Sequence, residues 1–278
     1  MMQPTYILAV RTARHVARRA ARCLAVGVAL LALPGLPLAP HALAAQNVSE
    51  LLSAGDRESV ARRPGAALGH YERAVQAEPK SYAALWRAAR EAVDVGEFEP
   101  NAATRTALYG RATDYARRAV QANTNDAEGH FQLSRAVGRT ALAANPRDRV
   151  KYAVEVRDEA LKALQLQPKH PGALHVLGVW NAEVMRLNGF SRAVAKTFLG
   201  GQALGAASWP EAIRYMEASV VLEPNRLVHH LDLARVYRDA GRRNDARAAY
   251  QAALRAPFQD ANDEHYRKSA DEELAKLR

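Results

Sequence analysis

One spacing recurs five times along the chain and limits what it can become. It reads Ala67, Tyr71, Ala74 with a stop at Pro79, then Ala112, Ala116, Ala119 with Thr124. It returns as Val156, Ala160, Ala163 with Pro168, as Ala212, Met216, Ser219 with Pro224, and as Ala246, Tyr250, Ala253 with Phe258. Offsets of four and seven residues lie on one face of an α-helix, and proline ends a helix by removing an N–H donor. The small side chains allow two helices to approach closely. The last copy is the plainest. Leu227 to Pro257 reads as two short helices joined at Gly241, with Leu233, Ala234 and Tyr237 on the first and Ala246, Tyr250 and Ala253 on the second. A single hairpin of this kind cannot bury its apolar face, so its neighbours must stack on it.

The stops fall at intervals of 45, 44, 56 and 34 residues. Only the last matches the period of about 34 of the tetratricopeptide repeat (TPR), which the Leu227–Pro257 unit resembles; the others carry insertions. The expected fold is all-α, an irregular TPR-like superhelix of antiparallel helix pairs. Composition agrees: hydrophobic residues are 49% but aromatics only 6%, which suits closely packed helices, and no Val/Ile/Thr alternation reads as a strand. In order, the chain predicts a helical stretch over 46–62 divided near Gly55-Asp56, then a helix from Tyr82 to Gly96 and one from Thr104 to Ala122. Further helices follow the cap at Asn125-Asp126, run from Asn145-Pro146 to Gln167, and open at Pro171 and Pro210. Residues near 189–209 form a helical insertion, and 262–276 a polar C-terminal cap.

Residues 1–45 read as an export signal. Five arginines end at Arg22, an apolar stretch runs from Cys23 to Ala39, and Ala42-Leu43-Ala44 is a small-x-small cleavage site near Ala44. Pro34 and Pro37 break a membrane-spanning helix there. The expected division is therefore a signal at 1–45 and a repeat domain at 46–278, in the periplasm or another extracytoplasmic space; a mitochondrial presequence is the alternative for a eukaryotic source. Cys23 is the only cysteine, so the mature chain has no disulfide or thiolate chemistry. Beyond the leader 34 basic residues face 29 acidic ones, a net of +5, which does not call for nucleic acid.

The runs YAALWRAAREAVDVGEF, YARRAVQANTNDAEGHFQLSRAVG, ALQLQPKHPGALHVLGVWNAEV, FSRAVAKTFLG and WPEAIRYMEASVVLEPN together resemble the TPR region of the regulator of microtubule dynamics proteins. The order and the uneven insertions agree as well as the residues, over roughly Tyr82 to Leu277. Leu85-Trp86-Arg87, Leu177-Gly178-Val179-Trp180 and Arg192 to Gly200 are the most specific parts. The resemblance implies an all-helical adaptor, linked to microtubules or to organelle membranes and not an enzyme.

The residues themselves show no phosphate-cradling loop, zincin pair or nucleophile elbow. Nine histidines are scattered without metal-site spacing. No catalytic residue, cofactor or metal is therefore expected. Binding is the better expectation. Aligning the first helices on their leucine/small pair places Trp86, Phe131, His175 and Leu231 at one equivalent position. One turn later stand Arg90, Arg135, Val179 and Arg235. An apolar or aromatic group beside an arginine would line a concave groove. Its partner would be a protein segment, and an acidic one where the guanidinium forks are free. The other reading stays open: these arginines pair with Asp94, Glu128, Glu183, Asp232 and Asp239 on the chain itself. A second feature is the apolar face of Phe190, Val194 and Phe198, opposite Arg192 and Lys196. It reads as a lid or membrane contact, and with it goes the alternative function, binding of anionic lipid or a membrane surface.

Overall fold

All fifteen residues of the recurring spacing are buried, and ten of them are alanines at or near zero exposure. The structure, a computed structural model, describes residues 40–144, 146–187 and 204–277. Its described helices are α1 (Pro40–Val60), α2 (Pro64–Ala77), α3 (Tyr82–Glu97), α4 (Ala102–Ala122), α5 (Ala127–Ala143), α6 (Pro146–Leu166) and α7 (Pro171–Arg186), followed by α8 (Trp209–Leu222), α9 (Leu227–Asp239), α10 (Arg243–Arg255) and α11 (Asp263–Lys276). No strand occurs among the described residues. The chain is an all-α, TPR-like array.

Helix starts follow the residue chemistry. The Asn101 side chain accepts from the N–H groups of Ala103 and Thr104, both at 3.0 Å. Asp126 accepts from Glu128 N–H at 2.9 Å, and Ser208 accepts from Glu211 N–H at 3.3 Å. Each satisfies a donor that the first turn leaves unpaired. His170 does the same at 3.1 Å, its Nδ1 accepting from Ala173 N–H.

Each odd-numbered helix pairs with the next: α1 with α2, α3 with α4, α5 with α6, α7 with α8, and α9 with α10. The odd helices also stack on one another through to α11, and so form the inner layer. The core runs along the array as linked clusters. One spans α1 to α5, one is centred on α3 to α7, and one spans α7 to α11.

Two expectations need correction. Gly55-Asp56 does not divide the first helix: α1 is continuous, because Gly55 is a contact point against the ring of Tyr71. Likewise α3 does not stop at Gly96, where a Cβ would stand 2.7 Å from Tyr109 Cε1. In both, glycine makes room for an aromatic ring on the paired helix. The leader residues before Pro40 and most of the insertion, including Phe190, Arg192, Val194, Lys196 and Phe198, lie outside the described residues. Among the described residues no helix is long and apolar enough to cross a membrane.

Candidate ligand cavity

The inner helices line a half-open cavity of about 1470 Å³. Arg90, Phe131, Arg135, His175 and Arg235 all stand on its wall, as does Val179. Two of the aligned residues do not. Leu231 is fully buried in the C-terminal core, where α9 is packed from both sides. Trp86 packs against the N-terminal core, flanked by the guanidinium groups of Arg87 at 4.3 Å and Arg90 at 5.3 Å from its ring centre.

The ladder arginines on the wall are engaged by acids of the chain, whereas Arg149 donates to the carbonyls of Leu142 and Ala144. Arg90 donates to Glu91 Oε1 at 2.7 Å and to Ser59 Oγ at 3.0 Å. Arg135 donates to Asp94 and Arg139 to Glu97. Arg235 forks onto Glu273, at 2.6 Å from Nη2, and reaches Asp232 at 3.0 Å. Glu273 also accepts from Arg238 Nη1 at 2.8 Å and Tyr250 O–H at 2.7 Å. Arg186 bridges Glu183 and Asp239. Of the acids named as internal partners, Glu128 and Glu183 depart: Glu128 accepts from Gln132 at 2.7 Å and faces His170 at 3.3 Å, and Glu183 pairs with Arg186, outside the arginine ladder.

The acids that matter most here were not singled out as a set from sequence. Glu91, Asp94 and Glu97 recur every three residues on α3, a spacing that keeps them on one face. They meet Arg135 and Arg139, four apart on α5. Two complementary ladders on neighbouring first helices were the signal available.

Burial shapes the charges. It pushes the Glu91 carboxyl upward, with Asp94 adding to the effect and Arg90 opposing it. Burial would also raise Asp232, but the His175 hydrogen bond and charge and the Arg235 fork outweigh it and hold the group far below the usual carboxylate range. His229, next to Asp232's helix face, is driven down to about 2 by burial and then by the charges of His175 and Arg226.

Among the described residues eight arginines and eight acids line the cavity, so this part of its wall is charge-balanced. One end is apolar, formed by Val156, Val179, Trp180, Val184 and Leu204. Trp180 is held there by an Nε1–H bond to Ala153 O at 2.7 Å. The opposite wall is closed by the C-terminal segment. Asn262 Nδ2 donates to Asp94 O at 3.0 Å, across 168 residues, and Phe98 stacks on His265. Among the described residues no three histidine, cysteine or acidic side chains are grouped to hold a metal ion.

Residues 45–278 match the family model described as Regulator of microtubule dynamics protein 1-3. The mouse Regulator of microtubule dynamics protein 1 is 22% identical over 142 residues, which are 51% of this chain and 46% of the relative. The bovine Regulator of microtubule dynamics protein 3 is 23% identical over 188 residues, 68% of this chain and 40% of the relative. The chain thus spans less than half the length of these relatives. Among solved structures, a thermophilic TPR protein from Thermus thermophilus superposes with a TM-score of 0.60 at 22% identity, covering 82% of this chain and 99% of that one. That likeness concerns the fold.

Proposed function

The chain belongs to the Regulator of microtubule dynamics protein 1-3 family, and from that membership and its large half-open cavity we propose that it is a non-catalytic adaptor that takes a segment of a partner protein into the cavity. The observation that carries this is the cavity's size together with its wall. About 1470 Å³ exceeds the roughly 300–1,000 Å³ of ordinary small-molecule sites, and an apolar end beside a charge-balanced wall suits a chain segment with apolar anchors. The arginine forks are engaged by the protein's own carboxylates. The guest we propose therefore carries no excess of negative charge, which narrows the acidic segment expected from the arginine ladder. In the same proposal, with residues 1–45 read as an export leader, this activity lies outside the cytoplasm.

The test is a selection from a displayed random-peptide library on the protein and on a Val179→Trp variant, which fills the apolar end. Peptides with apolar anchors should be enriched on the parent and lost on the variant. Equal recovery on both would sink the reading.

A second reading, an acyl chain of an anionic lipid in the apolar end, is favoured by the wall around Trp180. Exposure to phosphatidylglycerol vesicles followed by native mass spectrometry separates the two. Lipid adducts that Val179→Trp abolishes, without peptide enrichment, would select it.

A further inference from the structure

We propose that the contact between α3 and the first turn of α11 is a detachable clasp, and that the mouth of the cavity widens when it parts. The inference rests on the cavity being the binding site, not on the class of guest.

The inner layer bends back until its C-terminal end meets the C-terminal end of α3. At the meeting point Phe98, the residue after α3, lays its ring against His265 with centres 4.2 Å apart and 13° between planes. It also meets Tyr266 edge-on at 5.5 Å. One hydrogen bond, from Asn262 Nδ2 to Asp94 O at 3.0 Å, runs beside this stack.

These residues are part of the cavity wall. Asp94, Glu97, Asn262 and Tyr266 all line it. A guest wider than the present opening must part them, and parting them widens access to the interior.

The two sides of the contact are unequal. On its own side α11 is packed along α9 and α10, with Tyr266, Ala270 and Leu277 buried in the C-terminal core. The loop before it is braced as well: Asp263 Oδ2 accepts the N–H groups of Gln259 and Asp260 at 2.6 and 2.7 Å, and Asp260 pairs with Arg226 at 2.8 Å. At the contact itself Phe98 remains 38% exposed, and His265 of α11 facing it is exposed too. The seam therefore parts between α3 and α11, and α7 to α11, which share one core cluster, swing as one body. Stacked helix pairs suit such motion, because each pair contacts only its neighbours.

The experiment reads access to the interior without any guest. In the full chain with Cys23→Ser, a single Val179→Cys is labelled by N-ethylmaleimide or by a bulky polyethylene-glycol maleimide. Releasing the clasp with Phe98→Ala and Asn262→Ala removes one ring stack and one hydrogen bond. Bulky labelling should then quicken on the order of tenfold, the combined worth of two such contacts. Labelling by the small reagent should change little, and Lys268→Cys, outside the cavity, should react alike in both backgrounds. A milder variant, His265→Ala, should quicken bulky labelling about threefold, part of one stacking interaction, and guards against misfolding of the double variant. Unchanged bulky labelling in both variants overturns the clasp. Since no peptide or lipid takes part, failure of the peptide selection leaves this result standing, and the reverse holds as well.

Discussion

His175 on α7 and His229 on α9 stack their imidazole rings 4.7 Å apart and 26° from parallel. Each is anchored on its outer side. His175 Nε2 lies 2.9 Å from Asp232 Oδ2, and His229 Nδ1 lies 2.9 Å from Ser219 Oγ. The pair joins three helices at the cavity wall, and only one ring has a carboxylate at hydrogen-bonding distance.

That asymmetry makes stability depend on pH. Burial, then His175 and Arg226, hold His229 neutral down to about 2, far below its usual 6.5. The unfolded chain takes up a proton as pH falls through 6.5, and the folded chain does not. Stability from this group is therefore complete above pH 6.5 and is lost on acidification. Between pH 7 and pH 5 the loss should be about 2 kcal/mol. Urea unfolding at both values, on the parent and on His229→Gln, isolates it. The variant should show a smaller loss by that amount, and parallel profiles would refute the assignment.

Glycine positions separate contact from mere flexibility. A Cβ at Gly178 would stand 2.5 Å from Met216 Cγ and 3.2 Å from its backbone N, and Met216 has no exposure to yield into. Gly178→Ala should cost about 1–3 kcal/mol through overpacking. Gly110, inside α4, meets nothing within 4 Å. Gly110→Ala should stabilise by roughly 0.5–1 kcal/mol, because alanine restricts the unfolded chain and favours helix. Thermal melts of the two variants should shift in opposite directions.

The Arg135–Asp94 pair joins α5 to α3 with each side chain about a quarter exposed or less. A double-mutant cycle using Arg135→Met and Asp94→Asn should give a coupling of about 1–2 kcal/mol. Each single change should lower stability, since it strands a partly buried partner. A coupling near zero would leave Arg135 free to serve a guest and would reopen the acidic-segment reading.

Asp126 does two jobs at one atom. Its Oδ1 accepts from Glu128 N–H at 2.9 Å and from Tyr82 O–H at 2.6 Å. It caps α5 and ties that helix to α3. Asp126→Ala should cost about 2 kcal/mol, and Tyr82→Phe about 1 kcal/mol. Equal costs in chemical denaturation would mean that the cap adds nothing beyond the tie.

What the sequence determined by itself was the all-α array and the contact surface of each second helix. A set such as Ala112, Ala116 and Ala119 lies on one helical face, is too small to fill space alone, and so requires a helix close against it. The prolines at Pro171 and Pro210 and the Asn125-Asp126 cap act within a few residues of themselves, and they too were legible. The tertiary structure decided the fate of the arginine ladder, because Asp94 sits 41 residues before Arg135 and on another helix. It decided that Leu231 is core, and that Gly55 receives a ring instead of breaking a helix. It decided above all that Asn262 reaches Asp94 and brings the C-terminal segment onto the cavity wall. That contact depends on the summed tilt of every helix pair between them, a quantity that no local spacing encodes.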